Sequence, residues 1–450
     1  MKKQTLFFLM AFVWLNSCTK EYITIINQPP VETRERETRF FLESKYNAAS
    51  LLDDRSFQLM NNEGLLILPY ITANRKFVLS FEVPDSAIVT TGESVQYSGV
   101  SVIDFTEPVT LSVELKNGKI ENYRLSLHVF TGLPIFWINT EDTLITREEF
   151  VAGTLKLDAN GQAVNNSVEI PLEIRGRGNS TWEMPKKPYR IRFRQNTPIL
   201  GLPSTRNWVL LANFADKTML RNHVAFSLSR QLSTDFVPRS SFVELFMNGA
   251  YQGTYQLTDH IRVEAARVNI PTLKSGDHSP ELISGGYLLE IDERLGETTW
   301  FKTEKLNLPI TLKDPEIPSQ PQLDYIKNYL NQVETLLMPD STGQISPGVD
   351  QLIDIPSFID WYLVNELAKN NDAAGFSSIF MVKDRGKKLK MGPVWDFDIA
   401  FGNINYHGNQ SPEGWWIRES GWYKYLFQIP EFENEVKKRW ASWKSTKLPG

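Results

Sequence analysis

Trp395-Asp396-Phe397-Asp398, followed by Phe401-Gly402 and preceded by Asn371-Asp372, sets two acids among aromatic residues with a third a short way upstream. Acids inside an apolar stretch need a cation or hydrogen bonds to offset their desolvation. If residues 395–398 form an extended strand, Asp396 and Asp398 project from one side and can grip a hard cation through oxygen ligands. Phosphoryl transfer needs divalent ions on the phosphate oxygens and a carboxylate to orient the attacking hydroxyl. Asp372, Asp396 and Asp398 are enough for both tasks. Taken singly, each Asp also reads as a helix cap or turn former.

The basic complement lies some 200 residues earlier. Arg175-Gly176-Arg177-Gly178-Asn179-Ser180 combines glycines that let the backbone approach an anion with cations that can meet it. A glycine-bearing surface turn between two strands explains the same letters. Lys186-Lys187-Pro188-Tyr189-Arg190-Ile191-Arg192 follows as a turn and a strand. Its alternation puts Tyr189 and Ile191 on one face and Arg190 and Arg192 on the other. Lys187, at the start of that strand, is placed to reach phosphates, with a solvated edge strand as the alternative.

With 450 residues, 41% apolar and 12% aromatic, the chain can build more than one core, and its length favours two or three domains. A net charge of -5 with both signs mixed leaves no footprint for nucleic acid. Lys2 and Lys3 before an apolar run over 6–15 form the parts of a secretory leader, too short for a stable transmembrane anchor. The run ends in Leu15-Asn16-Ser17-Cys18, which resembles a bacterial lipobox, and Cys18 is the sole cysteine. The expectation is a lipid anchor on Cys18 that holds the protein to a membrane of the cell envelope, at the outer membrane or cell surface, without disulfides or thiol catalysis.

Residues 19–35 are polar with Pro29-Pro30 and read as a tether. Residues 36–131 show short alternating runs, such as 76–81 and 109–115, with Asn117-Gly118 as a two-residue hairpin turn, and are expected to form a small immunoglobulin-like β-sandwich. A larger α+β domain then covers 132–450. Its expected strands fall at 168–174, 189–193 and 208–211, with a hairpin of 242–247 and 251–258 turned by Asn248-Gly249. Leu220, Val224, Leu228 and Leu232 mark one helix and Leu323, Ile326, Leu330, Val333 and Leu337 a second. A third starts at Asp354 with Pro356 in its first turn and delivers Asn371 and Asp372 into the loop beyond it.

The five histidines show no zinc spacing, and neither a Gly-x-Ser-x-Gly elbow nor a His-Arg-Asp string occurs. A paired-carboxylate glycosidase stays open, since its acids need not be neighbours in the chain. The tryptophans, Trp415-Trp416 among them, keep sugar binding open as well.

Taken together, the motifs resemble the CotH kinase family, whose members have an atypical kinase-like fold. The matching pieces are Arg177-Gly178-Asn179-Ser180, Lys187-Pro188-Tyr189-Arg190, Asn213-Phe214-Ala215-Asp216 with Arg221-Asn222, Asn248-Gly249-Ala250-Tyr251-Gln252-Gly253-Thr254-Tyr255, and Trp395-Asp396-Phe397-Asp398 with Phe401-Gly402. The resemblance runs from about 134 to about 440. It implies ATP-dependent phosphorylation of a protein acceptor with magnesium or manganese. Arg177, Gly178, Asn179, Ser180 and Lys187 would bind nucleotide, Asp372 would be the catalytic acid, and Asp396 the principal metal ligand beside Asp398. Ser378 stands where the family usually carries an Asn metal ligand, and Asp259 where it usually carries Glu. The chain also stops where family members often continue with more helix. Ser378 is a weaker ligand than an amide, and a lipoprotein outside the cytoplasm meets little ATP. The alternative is therefore a catalytically inactive surface lipoprotein that binds nucleotide, a glycan or a protein partner.

Overall fold

A computed structural model describes residues 37–51, 54–68, 75–129, 132–158, 169–232, 235–343 and 345–447. The expected leader, Cys18 and the tether lie outside them. The described chain is mixed α+β, mostly sheet with few helices, and none of its helices is long and apolar enough to cross a membrane.

The region before residue 130 is all sheet. Arg39–Leu42 lies between Arg55–Ser56 and Ser80–Glu82, Lys76–Val78 pairs with Val102–Asp104, and a six-stranded sheet includes a parallel pair of Glu63–Leu68 with Ile120–Val129. Alternation sends Phe40 and Leu42, Leu111 and Val113, and Tyr123 and Leu125 into one shared core. Two expectations change here. The run 76–81 breaks at Leu79, and its halves join different sheets. The turn at Asn117-Gly118 is a three-residue loop closed by Leu115 N donating to Lys119 O at 2.8 Å, with Gly118 at φ +77°. That is the left-handed position such loops reserve for glycine. The core continues into the next unit through Ile135 and Phe246, where Trp137 stacks on Phe246 at 4.0 Å.

Residues 135–259 close into a barrel. Ile135–Thr140, Val151–Asp158, Glu169–Gly176, Tyr189–Ile199, Leu202–Leu211 and Ala250–Asp259 run antiparallel in that order. Ser240–Met247 completes the ring by pairing parallel with Ile135–Thr140. Inward positions alternate along each strand: Leu172 and Ile174, Ile191 and Phe193, Trp208 and Leu210 fill the interior. The hairpin at Asn248-Gly249 forms as expected, with both residues at positive φ (+50° and +80°) and Met247 opposite Ala250.

Outward-facing Val209 and Leu211 belong to a second core, shared with a five-stranded antiparallel sheet and the main helices. The sheet order is Trp300–Lys302, Pro309–Asp314, Tyr287–Ile291, Ile379–Lys383, Leu389–Met391. The helix Gln320–Leu337 buries Ile326, Leu330, Val333 and Leu337, with the Gln322 side chain accepting from Ser319 N at its start. The helix Ile355–Ala368 begins at Asp354, whose carboxylate accepts from Ser357 N at 2.9 Å. The first helix departs from its expected stripe. Leu228 packs on the core and Leu232 enters it as expected, but Leu220 and Val224 are exposed, and Arg221–Arg230 buries Asn222, Ala225, Phe226 and Ser229 instead. The face is chosen by Asn222, whose amide is drawn inward by two hydrogen bonds that an i, i+4 count of apolar residues does not register.

Candidate functional site

A cavity of about 270 Å³ opens where the barrel meets the five-stranded sheet. From the barrel side it is lined by the Arg177–Ser180 loop, Lys186, the 211–214 segment and His260. From the sheet side come Glu290, Asp292, Lys313 and Ser378, and the acids Asp372, Asp396 and Asp398 close it. Residues separated by some 200 positions in sequence thus share one space.

The loop after Glu169–Gly176 is tightly built. Gly178 has φ +86°, which disfavours a side chain, and a Cβ there would meet Thr181 Oγ1 at 2.1 Å and force that hydroxyl to move. Arg147 donates to Gly178 O at 3.2 Å, and Arg177 N donates to Pro188 O at 3.1 Å. The Arg177 guanidinium lies over the Trp395 ring at 5.7 Å.

Lys187 does not line the cavity. Its Nζ turns back to Trp182 O at 2.5 Å and over the Trp182 ring. Its neighbour Lys186 lines the cavity instead, with Nζ donating to Ala212 O at 3.0 Å and to Thr254 O, over the Tyr255 ring. Burial pushes the Lys186 pKa down to about 8, with Glu244 acting in the opposite sense. Sequence could not separate the two, because consecutive lysines before a proline sit where the backbone is about to change direction.

Trp395-Asp396-Phe397-Asp398 is not a strand. It is an irregular segment after the strand Leu389–Met391, with Asp396 in the left-handed region at φ +67°. The turn at Asp396 and the buried Phe397 ring, rather than a two-residue alternation, bring Asp396 and Asp398 to the same cavity. The segment is held by the first helix. Phe397 N donates to Asn222 Oδ1 at 2.8 Å, Arg221 Nε donates to Ala400 O at 3.1 Å, and Asn403 Nδ2 donates to Ala215 O at 3.0 Å. Asp216, whose Oδ2 accepts from Arg221 N at 2.9 Å, anchors that helix start. The Asn213–Asp216 and Arg221–Asn222 motifs therefore build the scaffold of the acidic loop.

Asp372 opens a 3-10 turn beyond the helix Ile355–Ala368. Asn371 Nδ2 donates to Asp372 Oδ1 at 3.1 Å. His407 Nδ1 and Asn409 Nδ2 approach Asn371 Oδ1 at 3.0 and 3.4 Å, which sets the amide's orientation. Burial, then the charge of Asp396, raises the Asp372 pKa. Burial, then Asp396 and Asp372, pushes Asp398 up to about 7. Three carboxylates lining one cavity form a hard-oxygen donor set with charge that a divalent cation would offset. Among the described residues, no group of three or more His, Cys, Asp or Glu is arranged to hold a metal by itself. A cation here would draw on two carboxylates and on oxygens from a ligand.

Sequence reading missed Glu290, Lys313 and His260. Lys313 Nζ lies 3.3 Å from Glu290 Oε2 and also contacts Glu297. Burial raises the Glu290 pKa; it works against the Lys313 charge too, yet Glu290 and Glu297 hold that pKa above its usual value. Acids at 290 and 292 in the apolar run Tyr287–Ile291 and just beyond it were the available signal, the same one that marked Asp396 and Asp398. Asp259 is spent elsewhere, fully buried between Arg239 at 2.8 Å and Arg267 at 2.9 Å.

The family profile described as CotH kinase protein matches residues 174–449. No curated protein matches the chain. Among solved structures, a Bacteroides thetaiotaomicron protein described provisionally as a glycoside hydrolase is 12% identical and covers 62% of this chain and 82% of its own, with a TM-score of 0.15. A likeness that slight carries no argument about fold or activity.

Proposed function

The chain belongs to the CotH kinase protein family, and on that premise we propose that the cavity moves the γ-phosphate of ATP to a hydroxyl of a protein acceptor. The observation that carries this reading is the meeting of Arg177 and Lys186 with Asp372, Asp396 and Asp398 around one space. Asp396 and Asp398 would hold magnesium or manganese, with Ser378 beside them. When bound, the cation neutralises charge on the phosphate oxygens. Asp372 has one oxygen engaged by Asn371, which leaves the other to accept the proton of the attacking hydroxyl. Lys186 and Arg177 face the phosphates as cations, and the Gly178–Ser180 backbone bounds them.

In this reading residues 132–450 are an atypical kinase-like domain, and 36–131 an immunoglobulin-like spacer. Acylated Cys18 would tether both to the outer membrane or cell surface, and fatty-acid labelling lost in Cys18→Ser would support that anchor. Ser378 favours one rival, a protein that binds nucleotide or a glycan or protein partner without transferring phosphate, because a hydroxyl is a poorer ligand than an amide. Calorimetric titration of the protein with ATP, with and without magnesium or manganese, tests the reading. Binding that needs the cation and disappears in Asp396→Ala supports it; a folded protein that ignores ATP under both conditions sinks it.

A further inference from the structure

The outer face of the barrel beside this cavity carries cations that make no ion pair with a described residue. Arg175 and Arg190 are direct cross-strand partners, whereas two residues along, on the same face, the same strands set Glu173 against Arg192 and join them at 2.7 Å. Like charges directly opposite destabilise a sheet; the Phe150 ring, 4.8 Å from Arg175 and 5.8 Å from Arg190, offsets part of that cost, and an anion would offset more. The guanidiniums of Arg177, Arg190 and Arg262 have neither hydrogen bond nor ion pair to any described residue. The Nε atoms of Arg190 and Arg262 are buried without a partner, and so is Nδ1 of His260, which lines the cavity. The shortage is local: nearby Arg239 and Arg267 are saturated by Asp259, Glu264 and backbone carbonyls.

Other groups mark the same place. Burial, then Arg175, Arg262, Arg192 and Arg177, push Arg190 down to about 10, and burial with Arg190 and Arg177 holds His260 well below its usual pKa. The carboxylates in range are Asp314, which feels Arg262 without pairing to it, and Asp396, Glu290 and Asp398, which act on Arg177 from across the cavity. Unpaired, partly buried guanidiniums cost stability unless an oxyanion completes them, and their planar forks match phosphate oxygens.

We propose that Arg177 and His260, which line the cavity, form with the neighbouring Arg190 and Arg262 an oxyanion site for a phosphoryl group at its barrel side. This site shares Arg177 with the ATP reading, on which it rests in that respect, and takes its ligand without a metal cation. The phosphoryl group can come from the nucleotide's own polyphosphate or from a phosphorylated partner.

The test is calorimetry of the intact protein with pyrophosphate in EDTA and low chloride, alongside thermal melting. Wild type should bind and melt higher with pyrophosphate, and Arg190→Gln and Arg262→Gln should weaken binding ten-fold or more. Without anion, Arg190→Gln should melt no lower than wild type, because it removes a like-charge pair. If it fails to fold, Arg190→Lys, which keeps the charge and loses the fork, replaces it. Folded wild type that ignores pyrophosphate, or equal affinity in both variants, overturns the site. Asp396→Ala should keep this metal-free binding even where it loses metal-dependent ATP binding, which separates the two readings. Displacement of pyrophosphate by ATP assigns the site to the nucleotide; simultaneous binding assigns it to a phosphorylated partner.

Discussion

Ser378 Oγ donates to Asp396 Oδ2 at 3.1 Å, and both residues hold left-handed backbone, at φ +61° and +67°. Asn tolerates that conformation better than most residues, so Ser378→Asn fits the backbone and adds an amide oxygen at the acidic end of the cavity. It should tighten manganese-dependent ATP binding about ten-fold, ~1.4 kcal/mol. Unchanged affinity by calorimetry would separate position 378 from the metal.

Asp398, pushed up to about 7 by burial and then by Asp396 and Asp372, makes stability depend on pH. An unfolded Asp titrates at about 3.9, so between that value and 7 the metal-free folded state holds the extra proton. Stability should therefore fall as pH rises through this window, by an amount on the order of a few kcal/mol, and level off above it. Asp398→Asn should flatten the slope in thermal melts. Cation binding needs the ionised carboxylate, so metal-dependent ATP affinity should drop as pH falls through 7.

The two neighbouring lysines should separate cleanly. Lys187→Met removes a cation that faces Trp182 and should change ATP affinity less than about two-fold, under ~0.5 kcal/mol. Lys186→Met removes a cation from the cavity and leaves Ala212 O and Thr254 O without their donor, so it should weaken ATP binding and cost about 2–4 kcal/mol of stability. Equal effects of the two on ATP titration would contradict the assignment of Lys186 to the site.

Asn222 joins the first helix to the acidic loop through Phe397 N at 2.8 Å and Asn213 Oδ1 at 3.2 Å. Asn222→Ala strands a buried N–H and should cost about 1–3 kcal/mol, with loss of metal-dependent ATP binding although residue 222 is no ligand. Denaturant unfolding and calorimetry on one preparation check both parts. A variant that loses stability and keeps full metal-dependent affinity would show the loop to be held by other contacts.

Strong periodicity read well. The helix Gln320–Leu337 buries four of its five expected residues completely, and Leu323 partly. The Asn248-Gly249 hairpin formed at its expected turn because both signals act over a few residues. The first helix formed with Leu228 and Leu232 in the core but Leu220 and Val224 exposed, since its buried face also follows Asn222, whose partner Phe397 is 175 residues away. Barrel closure was also invisible, because the parallel pairing of Ile135–Thr140 with Ser240–Met247 joins segments a hundred residues apart.

By itself the sequence determined the mixed α+β class, the family, the Asn248-Gly249 turn, the Asp354 cap, and which acids and cations were candidates, all of which rest on residue chemistry and short-range spacing. The tertiary structure alone decided that Lys186 rather than Lys187 faces the cavity, that Asp396 reaches it from left-handed backbone instead of a strand, and that Arg177, Arg190 and Arg262 make no ion pair with a described residue. Those outcomes depend on which groups meet across the barrel and the five-stranded sheet, and the free energy of a buried charge is set by such neighbours.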